Sequence, residues 1–386
     1  MPCIAPGASP GSPSLRAAEF FAGIGLVRLG LESAGFTVVW SNDWEPAKHE
    51  LYSGHFAPED HTYVVGDIAL VSSSNLPSVD FAWASFPCTD LSLAGWRKGL
   101  AGDESGTFFA WTRILEELGD NRPRVVAAEN VIGLATSHGG DDLRTAVTEL
   151  NKLGYSVDVL TLDARRFVPQ SRPRLFLIGS LDPVATSSQP NAWLRPEWLD
   201  FVFQDETLTT HQAPLPDPPK ATSTGFSALA DRLPPGDDRW WDERRTALFL
   251  GSLSDMQRKR LDGLIKGKRV SYRTAYRRTR KGVAVWEVRA DDIAGCLRTA
   301  RGGSSKQAVV RTGNGTVRVR WMTPHEYLVL MGAPDYRIDG IRPLQVMFGC
   351  GDAVVVPVVE WLATNYLRPL LVGDLAPRSY MAVGDG

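Results

Sequence analysis

The chain has 386 residues, 43% of them hydrophobic and 22% charged, an ordinary globular composition that supports one large domain with a smaller one appended, or two domains. Its four cysteines (Cys3, Cys88, Cys296, Cys350) are far apart, with no C-x-x-C pair and no histidine at ligand spacing. That argues against a disulfide framework or a metal site, and it fits a reducing, cytoplasmic compartment. The net charge of −2 hides a polarity: from Arg258 to Arg320, 18 Lys and Arg stand against 4 Asp and Glu, and the rest of the chain is acidic. A basic block interleaved with aromatics, "KGKRVSYRTAYRRTRKGVAVW", predicts a polyanionic partner met by one region.

In chain order, residues 1–14, "MPCIAPGASPGSPS", lack a basic region and an apolar core, so they read as a disordered tail and not a signal peptide. No apolar run approaches membrane-spanning length, and no membrane partner is expected. Seven β-branched or aromatic runs follow as strands: 17–21, 37–41, 62–66, 79–86, 124–130, 156–162 and 174–180. Helical patterns lie between them, such as "LVRLGLESAG" and "TFFAWTRILEELG", the second closing on a C-cap glycine. Continuous apolar strands alternating with helices predict an α/β fold with a mostly parallel, Rossmann-like sheet covered on both faces.

After residue 181 the texture becomes Pro-rich and irregular, then basic with β-like patches at "VAVWEVRA" and "TVRVRWM", then helical again. The expected organisation is a catalytic domain over 15–185 and a smaller irregular or β domain over 186–320. A C-terminal segment over 321–375 would pack back on the catalytic domain.

"EFFAGIGLVRLGLESAG" sets a Gly-x-Gly turn between strand and helix, where the backbone can approach a ligand at a helix N-terminus. A dinucleotide fingerprint would want glycine at position 28, which is Arg28, so NAD is disfavoured. Asp43 ends the next strand in "SNDWE", placed to accept from ribose hydroxyls, and Trp44 offers a flat surface to a purine. Asp67 ends the third strand in "VVGDIA", suited to an exocyclic amine. Each Asp is also a good helix N-cap, the ordinary role after a strand. Three nucleoside-suited features at successive strand ends favour a nucleoside ligand without a pyrophosphate.

At the fourth strand end stands "FPC" and at the fifth "ENV", which puts the thiol of Cys88 and the carboxyl of Glu129 on one sheet edge. That pairing suggests covalent catalysis with an acid partner. "PQSRPRLFLIG" adds Arg172 and Arg174, two residues apart and so on one face.

These blocks together resemble the cytosine-C5 DNA methyltransferase family. "FFAGIG", "NDWE", "GDI", "FPC", "ENV", "QSRPR" and "GDAVVVPV" stand in the family's order, and "LRTARGGSSKQ" and "TPHEYLVLMGAPDY" look like its later segments, from Phe20 to about Ala363. The resemblance implies S-adenosylmethionine as cofactor, leaving as S-adenosylhomocysteine, and double-stranded DNA as partner. It implies Cys88 as the nucleophile that adds to C6 of a flipped-out cytosine, Glu129 on the N3 and amino edge, and Arg172 and Arg174 on O2 and beside the thiol. Cofactor contacts fall on Phe21, Ala22, Gly23, Ile24, Gly25, Asp43, Trp44, Asp67, Ile68, Pro87, Phe108, Asp352 and Val354. DNA contacts fall on Arg273, Arg277, Arg278, Arg280, Lys281 and Arg301. Two positions depart from the family pattern: Thr89 stands where glutamine is usual, and Asp352 where asparagine is usual.

More than 100 residues between Ser180 and Arg298 favour DNA over the tRNA-methylating relatives, which lack a large variable region. Retention of Cys88, Glu129, Arg172 and Arg174 argues against a non-catalytic DNA-binding protein on the same fold. A single chain with a modest recognition region most resembles a monomeric prokaryotic modification enzyme, paired with a restriction or defence system.

Overall fold

The computed structural model describes residues 14–56, 61–87, 106–189, 191–280, 282–299 and 306–377. By contacts the chain forms two compact units. One comprises Met1–Leu162, Pro173–Pro218 and Val358–Gly386; the other comprises Asp163–Arg172 and Pro219–Pro357. These bounds fall elsewhere than the texture changes near 185 and 320. The Pro-rich stretch after residue 181 stays with the first unit because it bonds to the sixth strand, with Val157 N donating to Thr209 O (3.0 Å) and Thr161 N to Leu194 O (2.8 Å).

The first unit holds a seven-stranded sheet: β1 (Leu15–Phe20), β2 (Phe36–Asp43), β3 (Thr62–Val65), β4 (Phe81–Ala84), β5 (Val125–Val131), β6 (Ser156–Asp163) and β7 (Pro173–Ser180), in the order β3-β2-β1-β4-β5-β7-β6. All seven expected strands form. β3, β2, β1, β4 and β5 run parallel, and β7 runs antiparallel to β5. Between them, α1 (Leu26–Ser33), α2 (Pro46–His55), α3 (Thr107–Glu117) and α4 (Asp141–Lys152) bury periodic apolar stripes. In α3 the stripe is Phe108, Trp111, Ile114 and Leu115, and Gly119 beyond the helix takes a positive φ of 56°. Phe20 lies 4.9 Å from Trp40 and 6.4 Å from Trp111, ring to ring, at the middle of the core. Burying such a ring contributes about 1.5–3 kcal/mol.

The second unit holds an antiparallel sheet: β8 (Ser271–Arg280), β9 (Val283–Val288), β10 (Ala308–Gly313) and β11 (Thr316–Trp321), in the order β11-β10-β8-β9. One face buries Ala275, Val288, Ala308, Val310 and Val319 against Phe249 of α5 (Glu243–Gly251) and Leu261 of α6 (Asp255–Lys266). Trp241, Trp286 and Trp321 close the end of this layer, with ring centroids 5.1–5.7 Å apart. The region is thus more regular than its sequence texture suggested. Both helices carry local N-caps: Asp242 accepts from Arg245 N, and Ser254 from Gln257 N. α7 (Pro324–Leu330) begins at a capping box of Thr323 and Glu326, and α8 (Pro343–Asp352) follows.

The stretch Pro343–Leu371 is long and apolar enough by length and composition to cross a membrane, where no such run was expected, but α8 ends at Asp352 and extended backbone at Ala353 separates it from the next helical turn. Two thirds of its most apolar window (67%) is buried inside the protein, the pattern of a core helix.

Candidate active site

The glycine turn after β1 is built from left-handed backbone: Phe21 (φ 57°), Gly23 (φ 56°) and Gly25 (φ 75°). Gly25 is obligatory for packing, since a Cβ there would fall 2.5 Å from the Phe56 ring and 2.6 Å from Tyr52. Ile24 is buried and Ala22 nearly so, which fixes the turn to the core. Asp43, the last residue of β2 and only 4% exposed, ties the turn down. Its Oδ2 accepts from Gly23 N (2.9 Å) and its Oδ1 from Glu45 N (3.0 Å). Tyr63 Oη donates to Gly23 O (3.0 Å) from the neighbouring strand.

Asp67 caps a short turn through Ala69 N (2.9 Å), with Ile68 buried beneath it. Trp44 is 59% exposed directly after Asp43. A large apolar ring left in solvent beside two strand-end carboxylates and a positive-φ glycine turn is what a purine nucleoside requires, so the residues present fit that class of ligand.

Behind the turn is a polar cluster. Glu19, on β1, is buried, and burial raises its pKa well above the usual carboxylate value despite the opposing Arg28 charge and backbone amide. Arg28 donates to Glu32 (2.7 Å) and to Tyr52 Oη (3.1 Å). His61 Nε2 lies 3.0 Å from both Ser41 Oγ and Tyr52 Oη; burial, assisted by Arg28, lowers its pKa to about 4.

At the chemical end, Glu129 on β5 is 5% exposed and its Oε1 accepts from Arg174 Nε at 2.8 Å. The antiparallel pairing of β7 with β5 explains this bond. It sets Val131 opposite Arg174, so the beginning of β7 meets the C-terminal end of β5. Asn130, within the same "ENV", donates from Nδ2 to Phe86 O (3.1 Å), while its Oδ1 accepts from Val131 N. It anchors the Phe86–Pro87 segment, and Phe86 packs on Phe108 at 5.1 Å. Cys88 and Thr89 lie outside the described residues.

Arg172 and Arg174 do not share surroundings, against the expectation that two residues of spacing would put them on one face. Arg172 precedes β7, is 3% exposed, and belongs to the second unit. Its guanidinium donates to Leu297 O (2.7 Å), Gly351 O (2.9 Å), Ala353 O (2.6 Å) and Cys296 Sγ (3.2 Å). Gln170, fully buried, bonds Leu330 O (2.8 Å) and Leu297 N (3.2 Å) in the same unit. "QSR" therefore forms an anchor, and Arg174 is the arginine beside the carboxyl. Asp352 ends α8 and accepts from Thr299 Oγ1. Gly351 next to it has no room for a side chain, as a Cβ would lie 2.4 Å from Thr299 N. Val354 is buried.

Of the expected DNA contacts, Arg277 and Arg278 are exposed on β8. Arg277 lies over Trp286 at 5.9 Å, and Arg278 pairs with Glu287 at 3.1 Å. Arg273 instead turns inward, bonding Tyr272 O (2.9 Å) and Asp292 (3.3 Å), because its strand position faces Asp292 and the Ser227 hydroxyl that Asp292 holds. Lys281, Arg301 and the Arg280 side chain lie outside the described residues. No cluster of three or more His, Cys, Asp or Glu able to hold a metal occurs among the described residues.

A glycine turn, strand-end carboxylates and a Glu–Arg pair thus stand on one mostly parallel α/β sheet. Residues 15–368 match the family model for C-5 cytosine-specific DNA methylase, and the chain belongs to that family. It is 26% identical over 362 residues to the Type II methyltransferase M.Bsp6I of Bacillus sp. (strain RFL6), covering 92% of this chain and 100% of that one. It is 28% identical over 353 residues to the Type II methyltransferase M.HaeII of Haemophilus aegyptius, covering 91% and 92%. In fold it is similar to the Entamoeba histolytica methyltransferase EhMeth, with a TM-score of 0.60 at 16% identity over 95% of this chain and 100% of that one.

Proposed function

We propose that this DNA (cytosine-5-)-methyltransferase acts on a cytosine flipped out of duplex DNA, through a covalent adduct between Cys88 and C6, as a modification enzyme of the restriction type. The observation that carries the reading is the Glu129–Arg174 pair at the end of β5, beside a Phe86–Pro87 segment that Asn130 holds in place. S-adenosylmethionine supplies an electrophilic methyl group when bound. Phe21, Gly23, Gly25, Asp43, Trp44, Asp67 and Ile68 would hold it.

The residues of the chain do the rest. The Cys88 thiolate forms a bond to C6, and the ring's electrons move toward C5, which becomes nucleophilic. Glu129 holds the N3 and amino edge, giving a proton to N3 as the adduct forms and taking it back as the C6–S bond breaks, and Arg174 takes O2. Once C5 has its methyl group, a base removes the C5 proton and the C6–S bond breaks, returning the thiolate. Arg277 and Arg278, with Arg280, Lys281 and Arg301, meet the DNA backbone.

DNA bearing 5-fluorocytosine tests this, because fluorine cannot leave as a proton and elimination stalls. The expected result is a denaturation-resistant protein–DNA band that needs S-adenosylmethionine and is absent for Cys88→Ala. A Cys88→Ala protein methylating at the wild-type rate would overturn the mechanism.

A further inference from the structure

Outside the site and the β8 strand, α6 presents a second basic surface. Leu261, Leu264 and Ile265 face the sheet, and Gln257 Oε1 accepts from Val288 N at 3.0 Å, which fixes the rotation of the helix. At 100° per residue, Met256, Lys259, Arg260, Gly263 and Lys266 then fall on the opposite, exposed stripe. Lys268 and Arg269, also exposed, continue it into the turn where Gly267 O accepts from Asn314 N. Asp255 and Asp262 flank the stripe, yet the ion pair found on this helix is Arg258 with Asp262, at 3.0 Å.

Gly263 stands at the middle of the stripe, and a Cβ there would meet nothing within 4 Å. A glycine inside a helix costs about 1 kcal/mol against alanine, and no internal packing here requires it. Its missing side chain leaves the helix backbone uncovered between the exposed Lys259, Arg260 and Lys266.

We infer that the α6 stripe is an auxiliary DNA-backbone surface, touching phosphates of the duplex that flanks the modified site. The inference rests on the DNA-methylating function proposed above. Cations gathered on one face, with carboxylates (Asp255, Asp262) only at its edge, repel one another and gain from a polyanion, and their reach sets how much flanking duplex the enzyme uses. Arg258 is excluded from the set by its pairing with Asp262.

The test uses the full chain and duplexes of about 15 and about 40 base pairs around a site mapped by bisulfite sequencing, with affinity measured across salt. The variants are Lys259→Gln/Arg260→Gln/Lys266→Gln and, separately, Gly263→Gln, which should raise the thermal midpoint because it improves helix propensity. For the triple variant the log–log salt slope on the long duplex should flatten by about 0.9 for each phosphate no longer neutralised, up to about 2.7. Gly263→Gln should weaken long-duplex binding several-fold while the protein becomes more stable. Both should methylate the short duplex as the wild type does.

An unchanged slope and affinity on the long duplex, with methylation intact, would sink the auxiliary surface and leave the function standing. Equal loss on both duplexes would also overturn it, placing α6 against the modified site itself. A wild type that transfers no methyl group to C5 on either duplex would instead overturn the function itself.

Discussion

Arg174 Nε donates to Glu129 Oε1 at 2.8 Å, between side chains that are 13% and 7% exposed. An ion pair this enclosed is worth little beyond an apolar equivalent, but either partner left alone is costly. Its presence at the C-terminal end of β5, where apolar packing would serve stability as well, fits a pair that serves chemistry.

Arg174→Ala should therefore destabilise the protein by about 3–5 kcal/mol, measured by urea unfolding. Glu129→Gln keeps an acceptor for Arg174 and should cost much less, yet slow methyl transfer by about 10²–10⁴-fold in single turnover. A Glu129→Gln enzyme with an unaltered rate would remove the carboxyl from the reaction.

Asp43 joins two roles. Its oxygens accept from the Gly23 and Glu45 amides, and Lys48 Nζ lies 3.9 Å from Oδ2; a carboxylate oxygen has a second lone pair, which Oδ1 can offer a ribose hydroxyl. Asp43→Ala should lower stability by about 1–3 kcal/mol through the freed buried amide, and weaken cofactor binding by one or two decades. Calorimetry that finds full affinity in the folded variant would reduce Asp43 to a structural tie.

Arg172 is predicted to be an anchor. Arg172→Met leaves the carbonyls of Leu297, Gly351 and Ala353 without their guanidinium donor, at about 1–3 kcal/mol for each group left unsatisfied. Denaturation should show a loss of several kcal/mol. Asp352→Asn, by contrast, preserves an acceptor for Thr299 and should unfold within about 0.5 kcal/mol of the wild type. A destabilised Asp352→Asn would mean that the charge itself is required.

The strands were legible because a sheet buried on both faces leaves apolar runs, plainest in β4 and β7, while the edge strand β3, which buries no residue, shows only its β-branched and aromatic composition. Glu129 was legible because it ends such a run. Arg172 was not, since its partners lie 124 to 181 residues later in the chain and no local pattern encodes them. The same holds for Gln170, whose buried amide is explained only by Leu297 and Leu330. Asn130 stood within a recognised motif, yet its bond to Phe86 depends on β4 and β5 being neighbours. α6 did carry a local signal in Ser254 and Gln257, an S-x-x-Q spacing that the surrounding charge obscured.

The last prediction concerns acid. His211 is buried with Nδ1 2.9 Å from Ser156 Oγ and Nε2 2.9 Å from Tyr366 Oη. Tyr366 gives its own proton to Asp158 Oδ2 at 2.8 Å, so His211 must donate from Nε2, and the neutral ring satisfies every partner. Burial holds its pKa below the ordinary 6.5, with Asp158 opposing and Arg195 assisting. His61 is likewise lowered, to about 4.

A histidine whose folded pKa lies below its unfolded one binds fewer protons when folded. Its contribution to stability is present above about pH 6.5 and is lost as pH falls toward the folded pKa. Glu19, raised by burial, acts in the opposite sense: its contribution is fully present below about pH 4.5 and is lost as pH rises through the folded pKa. The thermal midpoint should thus fall between about pH 6.5 and 4.5, with Glu19 offsetting part of the loss as it takes up its proton in the folded state. His211→Gln and His61→Gln should each flatten that fall, and Glu19→Gln should steepen the net loss toward pH 4. Calorimetric midpoints across this range for the wild type and the three variants give the comparison; a His211→Gln curve parallel to the wild type would show that His211 does not titrate there.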